Sequence, residues 1–145
     1  MSNLALFLLM MCGGAILALQ PSINARLAQK IGVIESSFVS FAVGTIALAA
    51  AVSLFGRGSL RSLPGASWWE LTGGLLGAVF VTLTIVVVPR LGTAATMAAI
   101  IAAQLTTGLV MDQLGLFGFR GAPLDARRIA GAIILMAGAA LIYRR

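Results

Sequence analysis

The chain has 145 residues, with ten Lys and Arg against four Asp and Glu, one cysteine and no histidine. At 60% hydrophobic and 10% charged residues, with a mean hydropathy of +1.06, it falls outside water-soluble domains, where about a quarter of residues are charged. Its net charge of +6 is scattered singly and in short groups between apolar runs, so nucleic acid is not an expected partner. Without histidine and with Cys12 alone, no Ser/His or Cys/His nucleophile, no internal disulfide and no zinc or haem ligand set can be assembled. Rossmann and P-loop glycine motifs are absent, so neither an enzyme nor a cofactor is expected.

The first apolar run covers residues 3–20, and no Lys or Arg precedes it. It lacks the basic start of a secretory signal peptide and reads as a retained helix. Beyond Pro21 the spacing of Ile23, Leu27 and Ile31 continues the pattern. This predicts one helix over 3–30, kinked where proline frees a carbonyl that the protein itself must satisfy. Glu35, Ser36 and Ser37 suit a helix start and open a second helix over 35–55. The 56–65 connection is polar and carries Arg57, Arg61 and Pro64.

Ser67 and Glu70 have capping-box spacing and open a third helix over 67–89, with Trp68 and Trp69 suited to a membrane–water interface. A fourth helix follows over 92–114. After the irregular 115–125 stretch, Asp125 caps a fifth over 126–143. Five spans of roughly 17 to 24 residues match a hydrocarbon core of about 30 Å. The expectation is an all-α, polytopic membrane protein in which residues 1–145 form a single transmembrane domain. No internal sequence repeat is visible.

The 91–118 stretch places Gln104 mid-span and Asp112 near the far end. Gln104 is either an interhelical fastener worth about 1 kcal/mol or a substrate-contacting amide in a cavity. Asp112 is either a proton or cation coupling group, or an interfacial carboxylate pairing with Arg120. Gln20 and Asn24 flank Pro21, and a helix interruption with two amides is where transporters build sites. The bland alternative ends the helix at Gln20 and puts Asn24 in an interfacial loop. Arg26 reads as a snorkelling cation, and Glu35 and Glu70 as helix-start residues. Gly73 with Gly77, and Gly131 with Gly138, are close-approach surfaces that report packing alone.

Orientation is the second informative feature. With five spans, one side of the membrane carries Arg57, Arg61 and Arg120, with Arg127 and Arg128 at the adjoining helix end. The other side carries Arg26, Lys30, Arg90, Arg144 and Arg145, so five face five. Orientation follows an excess of Lys and Arg, and there is none. Such a chain is expected to insert both ways, and two opposed copies recreate the inverted repeat of many transporters.

The residues Gly14-Ala15-x-Leu17-Ala18-x-Gln20 and Asn24-Ala25-x-Leu27 resemble the first-helix signature of the YdcZ-type family of small bacterial inner-membrane proteins. That family lies in the drug/metabolite transporter superfamily. Trp69 before Gly73-Gly74-x-x-Gly77, Pro89-x-Leu91-Gly92, Gln104 before Asp112-x-x-Gly115-Leu116, and Gly131 with Gly138 extend the likeness over nearly the whole chain. Ala103 departs from it, standing where a glycine is expected before the glutamine. The resemblance implies a five-helix half-transporter working as an antiparallel pair, some members as dual-topology homodimers and others as paired or fused halves. The chain lacks the mid-membrane glutamate that the related small multidrug resistance transporters carry in helix one, which weakens a proton-driven cation antiporter of that type.

The resulting expectation is a multi-pass inner-membrane exporter of a small polar or amphipathic metabolite or drug. It would act as an antiparallel homodimer in the lipid bilayer by alternating access, with Gln20, Asn24 and Gln104 lining the cavity and Asp112 tuning its electrostatics. The rival readings are a small dual-topology ion channel and a non-transporting membrane subunit.

Overall fold

A computed structural model describes residues 2–118 and 123–143. Among the described residues there is no β-strand. The described residues form five α-helices: α1 (Asn3–Ile31), α2 (Val33–Phe55), α3 (Gly73–Leu91), α4 (Thr93–Leu114) and α5 (Ala126–Tyr143). A short tight helix, Trp68–Thr72, leads directly into α3, and Trp68–Leu91 together is long and apolar enough to span a bilayer. The other four helices also meet that criterion. In hydrocarbon every backbone N–H and C=O must be paired within its own segment, so runs of this hydropathy have helix as their only open-chain solution. The chain forms two compact units, Met1–Arg90 and Leu91–Arg145.

In the first unit, Ser2 caps α1 by accepting the Ala5 N–H at 3.2 Å. The helix then runs unbroken through Pro21. It stops at Gly32, whose N–H donates to the Ala28 carbonyl at 2.9 Å, and α2 begins at the next residue. One residue turns the chain because Gly32 sits at φ 102°, ψ 160°, a region closed to side chains. The expected start of α2 at Glu35 is therefore two residues late: glycine backbone ends one helix and begins the next, leaving Glu35 in the first turn. The α2–α3 connection contains a further tight helical turn at Leu60–Gly65. At the head of the Trp68–Thr72 helix Ser67 and Glu70 form the expected capping box, the Ser67 N–H donating to Glu70 Oε2 at 2.6 Å.

The core of this unit is small. Pro21, Ala25, Val81, Ile85 and Val88 are buried apolar residues there, Ile85 only 2% exposed. Most large apolar residues of α1 and α2 point outward, where lipid is their solvent. Packing between α2 and α3 uses the absence of a side chain at Gly77, where a Cβ would stand 3.3 Å from the Phe41 ring.

In the second unit, α4 starts after Gly92, which has nearly the conformation of Gly32 at φ 82°, ψ 159°. Its carbonyl accepts both the Thr96 N–H and the Thr96 hydroxyl, at 3.2 and 2.8 Å. Helices α4 and α5 pack as a hairpin. Gly115 ends α4 in the left-handed conformation. Asp125 starts α5 by accepting the Arg128 N–H at 2.7 Å, the capping role its position implies.

Candidate functional site

The four residues singled out from sequence have unlike surroundings. Gln20 lies on α1 one residue before Pro21 and is half-buried. Asn24, one turn further on, is only 6% exposed. Its amide Nδ2 donates to Ser40 Oγ at 3.1 Å, and its backbone carbonyl accepts the Ser36 hydroxyl at 2.8 Å. Ser36 is fully buried. Next to it, the Ser37 and Thr82 hydroxyls lie 2.9 Å apart, joining α2 to α3. Each hydroxyl carries one hydrogen, so one of the two donates across this gap while the other donates within its own helix, Ser37 to the Val33 carbonyl or Thr82 to the Ala78 carbonyl. The result is an uncharged polar seam through the first unit, centred on the last third of α1 and the first two turns of α2.

Sequence reasoning missed this seam. From sequence Ser36 and Ser37 suit a helix start; in the structure both are buried within α2 and bond to α1 and α3. The usable signal was Ser36 and Ser40 standing four apart in an otherwise apolar run, which places two hydroxyls on one face. Thr82 gave no such signal, since a β-branched residue in an apolar span bonds its own preceding turn as a rule.

In the second unit Gln104 stands on the exposed surface of α4. Among the described residues nothing hydrogen-bonds its amide. Asp112 forms an ion pair with Arg128 of α5. Arg120, the partner considered from sequence, lies outside the described residues. The Asp112 and Arg128 side chains are 42% and 29% exposed, so the pair is partly wetted. Gln113 Oε1 accepts the Leu124 N–H at 2.8 Å, a second tie across the same hairpin. Charge-reversing both partners (D112R with R128D) is expected to recover most of the loss caused by either change alone. That loss should be about 1 kcal/mol, read by thermal unfolding in detergent, because the pair lies between exposed and buried cases.

The candidate side chains are thus amides and hydroxyls in the first unit, and in the second an exposed amide and a carboxylate paired with a guanidinium. Amides and hydroxyls of this kind can hydrogen-bond a polar or amphipathic molecule.

The family model described as "Putative inner membrane exporter, YdcZ" matches residues 5–141. The chain is also 32% identical over 141 residues to the Inner membrane protein YdcZ of Escherichia coli (strain K12), covering 94% of this chain and 93% of that one. No solved structure matches the chain. Five membrane-length helices and a match spanning almost the full sequence place the chain in the YdcZ family of the drug/metabolite transporter superfamily, multi-pass proteins of the bacterial inner membrane.

Proposed function

We propose that the protein exports a small polar or amphipathic metabolite or drug, and that it does so as two copies inserted in opposite orientations. The observation that carries this reading is the even division of Lys and Arg, five on each side of the five spans. A chain with no orientation preference supplies both halves of an inverted repeat from one sequence. In this reading residues 1–145 act as one transmembrane domain, and each copy exchanges inward-facing and outward-facing roles with its partner. Gln20 and Gln104 are the amides that meet the substrate. Asn24 holds the wall behind Gln20, and Asp112, paired with Arg128, sets the local field.

Orientation is tested with single cysteines at Ser59 and at Arg145 in a Cys12→Ala background. A membrane-impermeant thiol reagent applied to intact spheroplasts should label each position to about half of the level seen after lysis. Labelling of one position alone would rule out the opposed homodimer and direct attention to a partner of opposite orientation.

A further inference from the structure

The first unit holds a groove of ≈ 290 Å³ where the C-terminal ends of α1 and α3 come together. Its floor is apolar: Ala25 and Ile85 are buried, and Ala28 and Pro89 line the walls. Its mouth is polar, formed by the exposed side chains of Gln29 and Arg90. Arg26 and Lys30 lie within one turn of Gln29 on α1. Three cations therefore gather at this end of the unit, against a single carboxylate, Glu35, which lies against Gly32. Among the described residues none of the three cations forms an ion pair.

The depth of this end follows from helix length. The 29 residues of α1 measure roughly 43 Å at 1.5 Å per residue, against a hydrocarbon core of about 30 Å. The last turns of α1, with Arg26 and Lys30, therefore reach the headgroup layer, and the groove opens where apolar chains give way to phosphates. An apolar slot with a cationic rim at that level fits an amphipathic anion whose tail lies along the helices. Basic pockets between membrane helices recognise anionic headgroups for this reason.

We infer that the α1–α3 groove is a binding site for an anionic phospholipid, with one acyl chain against Ala25, Ala28, Ile85 and Pro89 and the phosphate at Arg90 and Gln29. The assignment rests on membrane insertion and is independent of what is exported. Native mass spectrometry of the detergent-purified protein, titrated with phosphatidylglycerol or phosphatidylcholine of identical acyl chains, tests it. The wild type should retain phosphatidylglycerol about fivefold more than phosphatidylcholine, the factor roughly one Lys or Arg contributes at a membrane surface.

Arg90→Gln should abolish that preference, and Arg90→Lys should preserve it. Arg61→Gln, which removes the same charge from the α2–α3 connection, should leave it unchanged. Ala28→Phe fills the groove without touching its rim and should lower retention of both lipids alike. Equal retention of the two lipids by the wild type overturns the assignment, as does an Arg61→Gln variant that behaves like Arg90→Gln. If Ala28→Phe instead disperses an assembly of copies while lipid adducts persist, the groove is a contact between copies and the assignment also fails.

Discussion

Replacing Gly32 or Gly92 by alanine should cost about 1–3 kcal/mol each, the strain of holding a side chain in a glycine-only backbone region. Both residues combine φ near +90° with ψ near 160°, and each is the N-cap of the helix that follows. At Gly32 a Cβ would also meet the Glu35 carboxylate, but that is the far end of an exposed, flexible side chain that can swing aside, so the cost there too is the backbone strain. Gly13 is the control. It lies within α1 with open space where a Cβ would project, so Gly13→Ala should be neutral or stabilising by up to about 1 kcal/mol. Equilibrium unfolding in mixed micelles reads both signs. Equal effects at all three positions would mean that the glycines are packing devices and that backbone conformation is not what selects them.

The second large effect separates fastening from substrate contact. Asn24 is buried and its amide is committed to Ser40, while Gln104 is exposed. Asn24→Ala removes an interhelical hydrogen bond and leaves a small void, with an expected loss of about 1–2 kcal/mol. Ser36→Ala should cost slightly less, because the Asn24 carbonyl is a helix carbonyl and has a second acceptor site to fall back on. The coupling between Asn24 and Ser40 in a double-mutant cycle should lie near 0.6 kcal/mol and below about 1.7, the range for hydrogen bonds within membrane proteins. Gln104→Ala should leave stability within about 0.5 kcal/mol, as for other exposed positions. Under the proposed function, however, it should slow export of an identified substrate about tenfold, the effect of one lost hydrogen bond in the transition state. Unfolding measurements and flux in liposomes on the same variants make the comparison. Unchanged flux in Gln104→Ala would remove that residue from the site.

These outcomes bear on what a membrane sequence makes legible. The five spans can be read directly, because hydrocarbon imposes length and apolar composition on any helix that crosses it. Capping by Asp125 and the Ser67–Glu70 pairing can also be read, since each depends on contacts within one turn. The joint at Gly32 is harder to see: Glu35 and the serines after it form a conventional helix start, and they mask a start set by backbone geometry two residues earlier. The seam around Asn24 is harder still. Hydroxyls in an apolar run can bond their own helix, so only packing decides which of them reach across, as Ser36 does and Ser53 does not. The partner of Asp112 follows the same rule: Arg128 reaches it because α5 folds back along α4.

A joint of one residue has no slack. A fully extended residue spans at most about 3.6 Å, so α1 and α2 cannot draw apart at Gly32 by more than a fraction of a helix diameter. The serine bonds to Asn24 pin the same two helices within two turns of the joint. Relative to one another, α1 and α2 therefore form a stiff lever with its fulcrum at Gly32. The opposite end of α2 is tethered differently: twelve residues, 56–67, lie between Phe55 and Trp68. The slack of this unit therefore lies in that connection, and the Ser37–Thr82 hydrogen bond is what ties α3 back to the first turns of α2.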